Sequence, residues 1–141
     1  MSQIDSYLFF DGNCAEAMRF YEKTLGGKLE MMMKFAESPE PEHVPPGSAD
    51  RVMHACVVLD GRMLMASDSM PGEPYKGMNG FSLSLAYPTV AEARKVFDAL
   101  AMDGKVVMPL EKTFWVESFG MLTDRFGTPW MVSGGKQAKP N

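Results

Sequence analysis

Proton transfer near neutral pH falls most readily to histidine, and the chain has two. His54 interrupts the apolar run VMHACVV (Val52 to Val58). There it would serve either as a hydrogen-bonded wall residue of a sheet or as a polar group or general base in a pocket. His43 lies in a proline-rich stretch and is expected in solvent. Glu117 is a strand carboxylate that either lines a pocket or faces water. Asp68 and Asp124 each stand where a strand runs into a turn, a place where Asp hydrogen-bonds its own backbone. Trp115 and Trp130 are strand residues suited to a core or to a ligand platform, and each indole N–H needs a partner when buried. Tyr75 sits in a glycine- and proline-rich segment from which it could close over a ligand. Cys14 falls in a helical stripe and Cys56 in the same strand as His54, so two buried, reduced thiols are expected rather than a disulfide. The fourteen methionines are flexible thioethers that suit both core filling and adaptable binding faces.

The elements that must position these groups occur twice. In the first, Asn13 is an N-cap candidate with Glu16 three residues on, the pattern of a capping box. Cys14, Ala17, Met18, Tyr21 and Leu25 then form one helical stripe, and Gly26-Gly27 end it. In the second, Thr89 and Glu92 stand in the same relation. Val90, Ala93, Val96, Phe97, Leu100 and Ala101 form the stripe, and Gly104 ends it. Asn13 and Thr89 are 76 positions apart, as are Glu16 and Glu92. The flanks repeat as well. SYLFF (6–10) and FSLSLAY (81–87) predict strands before each helix, and KLEMMMKF and KVVMPLE predict strands after. RVMHACVVLDGRMLMASD predicts a hairpin turning at Asp60-Gly61, a pair suited to a type I′ turn. FWVESFGMLTDRFGTPWMVS predicts another with a longer turn at Asp124 to Gly127. Each half therefore reads β-α-β-β-β.

The fold class expected is α+β: two tandem βαβββ modules forming one curved, eight-stranded mixed sheet with outer helices and a concave inner face, the kind of surface pockets prefer. The first module spans residues 1–68, a linker 69–80, the second module 81–135 and a tail 136–141, together one structural domain. The proline-rich segment 36–50 is expected as a long exposed loop that could act as a lid. No run of apolar residues is long enough to span a membrane, and no signal peptide precedes the first strand, which makes the cytoplasm the expected location. The net charge of −4 and the scatter of single Lys and Arg residues argue against nucleic acid as a partner.

Tandem βαβββ modules resemble the vicinal oxygen chelate superfamily of glyoxalases, bleomycin resistance proteins and dioxygenases. YLFFDGNCAEAMRFYEKTLGG, MASDSMPGE and above all KTFWVESFGMLTDRFGTPWMV resemble its PhnB-like branch, over about residues 4 to 135. Members of that branch often carry a demethylubiquinone methyltransferase-like label. A methyltransferase of the Rossmann type needs a glycine-rich strand-to-helix turn, and neither DGNC nor YPT provides one, so that activity is not expected. The superfamily's enzymes hold a divalent metal on ligands from the first and last strands of each module. By the repeat, those positions fall near Ser6, Ser82, Met65 and Met131, two hydroxyls and two thioethers, a poor set for Mn, Ni, Zn or Fe. A slip in strand register would bring Asp5, Ser67, Asp68 or His54 nearer without giving three donors. No metal site and no cofactor are therefore expected.

These readings favour binding of a small, partly apolar molecule in a pocket lined by Met65, Met131, Trp115, Trp130 and Glu117, in a protein that the resemblance implies is a homodimer. The competing reading is an enzyme of lyase, isomerase or dioxygenase type, with His54 as the first catalytic candidate or with a metal completed by a partner chain. A third is a domain that acts through protein contact at its sheet edges.

Overall fold

The computed structural model describes residues 2–40 and 44–138; His43 lies outside them. The chain divides between Gly77 and Met78 into two compact units. The first contains β1 (Ser6–Phe10), α1 (Cys14–Leu25), β2 (Lys28–Lys34), β3 (Val52–Leu59) and β4 (Arg62–Asp68). The second contains β5 (Leu83–Tyr87), α2 (Val90–Ala101), β6 (Lys105–Glu111), β7 (Val116–Thr123) and β8 (Pro129–Gln137). Hydrogen bonding closes within each unit, giving two four-stranded mixed sheets, β1-β4-β3-β2 and β5-β8-β7-β6, where the sequence suggested a single sheet of eight. In each, the first strand runs parallel to the last and the other pairs are antiparallel.

Strand side chains alternate between faces, and in each unit the helix covers one of them. Leu8 and Phe10 of β1, Ala55 and Val57 of β3, and Leu64 and Ala66 of β4 are buried on the helix face of the first sheet. Against them α1 buries Cys14, Ala17, Met18 and Tyr21, with the Phe10 and Tyr21 rings 6.5 Å apart. Each large apolar side chain buried in this layer contributes about 1.5–3 kcal/mol. In the second unit α2 buries Ala93, Val96, Phe97 and Leu100 over Leu122, Trp130 and Val132. The helix is so close to β7 and β8 that a Cβ at Gly120 would meet the Phe97 ring and one at Gly134 would meet Ala93. The Asp60-Gly61 turn has φ of 47° and 79° between the paired Leu59 and Arg62, the two positive values a type I′ turn requires.

The two helix starts differ. Thr89 caps α2 from its own side chain, accepting the Glu92 N–H at 3.1 Å. Asn13 makes no side-chain cap, against the sequence expectation. The β1–α1 turn holds Asp11 and Gly12 where the β5–α2 turn holds only Pro88, and a carboxylate from β4 takes over. Asp68 Oδ1 accepts the N–H groups of Gly12 at 2.8 Å and Cys14 at 3.0 Å, and Oδ2 accepts that of Val52 at 2.9 Å. Asp68 is 3% exposed, so those three donors are its solvent. The helix stops differ too. Gly26 closes α1 in the left-handed region and donates its N–H to the Glu22 carbonyl. Helix α2 ends earlier than Gly104, at Ala101, and Asp103 takes the positive φ of 60°. Gly104 answers a different need. A Cβ there would strike the Thr123 carbonyl, as one at Gly27 would strike that of Val58.

The proline-rich segment is tied at both ends. Phe35 begins a short 3₁₀ turn and is buried, and Phe35 and Ala36 donate to the carbonyls of Arg51 and Ala49. Ser48 is fully buried. At the other end of the chain, β8 runs on to Gln137, so the residues expected as a tail from Lys136 begin as strand. The Ala138 N–H donates to the Trp115 carbonyl at 2.7 Å.

Replacing Asp68 with Ala leaves three buried or half-buried N–H groups without their acceptor and is expected to cost about 3 kcal/mol or more. Asn13→Ala is expected to stay within about 0.5 kcal/mol; chemical denaturation of the two variants measures the contrast. Burial, with the Asp68 charge adding to it, pushes the Cys14 thiol from 9.0 up to about 12. Above pH 9 the unfolded chain therefore releases a proton that the folded one keeps, and stability falls as pH rises towards 12, by about 1.4 kcal/mol per unit from this group. A Cys14→Ala variant should show a shallower loss over that window in pH-dependent unfolding.

Candidate functional site

The face of each sheet turned away from its helix carries the residues left for function. In the first unit the β1–β4 register pairs Tyr7 with Met65 and Phe9 with Ser67. The β3–β4 register pairs Cys56 with Met65 and Val58 with Met63, and the β2–β3 register pairs Met31 with Cys56 and Met33 with His54. One open face thus holds Tyr7, Phe9, His54, Cys56 and the thioethers of Met31, Met33, Met63 and Met65. Phe9 is 56% exposed, Met31 41% and Tyr7 40%, an apolar patch of the kind that marks a binding surface.

One polar pair lies in that patch. The Tyr7 hydroxyl is 3.0 Å from His54 Nδ1. The two rings stack at 5.6 Å and 28°, and the Phe9 ring lies 5.3 Å from Tyr7 at 42°. Burial is the main cause raising the Cys56 thiol above its ordinary range, and the charges of Glu30 and Asp5 add to it. At one end of β1 and β4, a pocket of about 390 Å³ opens between Phe9, Phe35, Ser67, Asp68, Met70 and Glu73. Arg51 braces its rim, bonding the Asp11 carboxylate at 2.8 Å and the Ser69 carbonyl at 2.9 Å. Tyr75 reaches back from the linker to donate its hydroxyl to the Phe9 carbonyl at 2.8 Å. Burial and the charges of Asp11 and Asp68 raise its hydroxyl above the ordinary range.

In the second unit the open face carries Ser84, Ala86, Phe119, Met121, Met131 and Ser133, paired across β5, β8 and β7, with Met108 of β6 beside Met121. Trp115 is 42% exposed and stands edge-on to Phe119 at 5.4 Å and to Phe114 at 4.9 Å. Trp130 lies on the other face. It is 2% exposed, and its indole N–H donates to Asp124 Oδ2 at 2.8 Å, while Asp124 Oδ1 accepts from Phe126 and Thr128. Trp130 is therefore a core residue and no part of the open face. Glu117 is exposed on a bulge of β7, where its carboxylate accepts the Lys136 N–H at 2.6 Å beside Gly135.

Of the residues singled out from sequence, His54 and Met65 share the open face of the first unit, and Met131 shares that of the second with Phe119, against which Trp115 packs. Tyr7 was missed. The alternation in SYLFF separates Tyr7 and Phe9 from Leu8 and Phe10, but the helix offset of 76 pointed to Ser6. The strands flanking the helices are offset by 77, as Phe10 and Tyr87 show. Ser6 pairs with the buried Leu64 on the helix face.

The open-face residues of the first and last strands are thus Tyr7, Phe9, Met65 and Ser67 in one unit and Ser84, Ala86, Met131 and Ser133 in the other. They offer hydroxyls and thioethers but no carboxylate or imidazole. Among the described residues no three of His, Cys, Asp and Glu converge in a way that could hold a metal ion. This donor set does not fit the divalent metal of the superfamily's enzymes.

The comparisons agree with this architecture. The chain is 38% identical over 142 residues to protein YjdN of Escherichia coli (strain K12), covering 95% of this chain and 96% of that one. It is 50% identical to protein PA1353 from Pseudomonas aeruginosa, whose crystal structure superposes with a TM-score of 0.89 over 96% of this chain and 98% of that one. The PhnB protein from Bacillus cereus, which carries a provisional 3-demethylubiquinone-9 3-methyltransferase label, is 28% identical, with a TM-score of 0.79 over 95% of this chain and all of that one. Residues 3–132 match the Glyoxalase/Bleomycin resistance protein/Dioxygenase superfamily, and the chain belongs to it as a PhnB- and YjdN-like member.

Proposed function

We propose that the chain binds a small, partly apolar molecule on its open sheet face, without a metal ion, as a cytoplasmic homodimer. The observation that carries this reading is the open face of the first unit, where Tyr7, Phe9 and Met31 expose two-fifths or more of their surface around a single hydrogen-bonded pair. Thioethers and rings of this kind adapt to an apolar ligand, and the one polar pair supplies orientation. Both thiols are unpaired, which suits a reducing compartment. No helix among the described residues is long and apolar enough to cross a membrane. The methyltransferase label of the Bacillus relative does not transfer well. The strand-to-helix turns here are Asp11-Gly12-Asn13 and Pro88-Thr89, neither of them the glycine-rich loop that such a cofactor needs.

Protein purified without chelator and without a metal-binding tag should contain far less than one metal per chain, and its melting temperature should not rise on adding Mn, Ni, Zn or Fe. Small bicyclic aromatic probes should raise it. Phe9→Ser should weaken their binding about tenfold, the effect of losing roughly half of a buried phenyl ring, with little change in stability because the ring is largely exposed. One bound metal per chain together with turnover would overturn the reading.

A further inference from the structure

Tyr7 and His54 are the only hydrogen-bonding pair on the open face of the first unit among the described residues, and their proton count has a definite outcome. A phenol and a neutral imidazole together carry two polar hydrogens, and the contact at 3.0 Å uses one. If the phenol donates to Nδ1, the Nε2–H is left over. If Nδ1–H donates to the phenol oxygen, the phenol O–H is left over. A protonated imidazole would only add another. Either tautomer therefore presents one unused donor, and no other hydrogen bond to these two side chains is present among the described residues. The groups around the pair are Phe9, Met31, Met33, Cys56 and Met65, which offer no strong acceptor in return.

We propose that the Tyr7–His54 pair is a specificity-determining donor that selects a planar ligand carrying a carbonyl oxygen. This deepens the binding function proposed above and rests on it. Planarity follows from the stacked Tyr7 and His54 rings and the tilted Phe9 ring beside them, which together form an aromatic wall. Selection follows from the donor itself, because a ligand without an acceptor leaves it unpaired in contact with apolar groups.

Coumarin and naphthalene test this, being fused bicyclic molecules of similar size of which only coumarin carries a carbonyl. Each is titrated into the full chain while backbone amide resonances are followed by NMR. The wild-type protein should bind coumarin about five- to tenfold more tightly than naphthalene, the range of one partly exposed hydrogen bond, with shifts centred on Tyr7, Phe9 and His54. The single variants Tyr7→Phe and His54→Phe each retain one donor and should keep a preference. The double variant Tyr7→Phe/His54→Phe keeps two rings and no donor, and its ratio should fall to near one. Equal binding of both probes by the wild-type chain, a preference that survives in the double variant, or shifts centred elsewhere overturns the inference alone. Failure of both probes to bind the wild-type chain overturns it together with the binding function beneath it.

Discussion

The period of two along a strand governs this molecule. Each four-stranded sheet has one helix to cover it, and one helix covers one face. A side chain's role is therefore set by the parity of its position. Leu8, Phe10, Ala55, Val57, Leu64 and Ala66 are core because they fall under α1, while Tyr7, Phe9, His54 and Met65 are their immediate chain neighbours on the other side. Nothing in the chemistry of Tyr7 or Phe9 would keep them out of a core. A shift of one residue would exchange the two sets, so the fixed points that hold the register also hold the site. In the first unit these include the Asp60-Gly61 turn and the glycine at position 27, where the backbone entering β2 comes down on the Val58 carbonyl.

Two buried carboxylates tighten the frame in different ways. Asp68 gathers backbone donors from the start of α1 and from β3, joining three elements distant in sequence. Asp124 gathers donors from its own turn and from the Trp130 indole, all within six residues. Each carboxylate is buried where backbone or indole N–H groups stand in for the water it has lost.

Most of the architecture was legible in the sequence, because the helix stripes, the I′ turn and the duplicated strand–helix pattern are local signals. The boundaries of the site were less so. Trp130 and Met131 are adjacent in one strand and cannot face the same way, yet both suggested a ligand wall. Which of them is core depends on where β8 begins after the Asp124 turn, and that is set by the contacts of Asp124 rather than by composition. Tyr7 was hidden by an insertion. The first module has one more residue before its helix and the second has one more after its helix, so an offset correct for the helices is off by one in the strands that flank them. The cap at Asn13 was misjudged for a related reason. Its residue type suits the role, but the longer turn brings in a carboxylate from 55 positions away.

That distance has a consequence for how the chain leaves the ribosome. The cap of α2 lies within its own first turn, so the start of that helix is capped as soon as residues 89 to 92 have emerged. The N–H groups of Gly12 and Cys14 at the start of α1 have no side-chain acceptor until Asp68 has been made, some forty residues after the helix itself ends. During synthesis α1 thus waits for its cap, while α2 carries its own from the start.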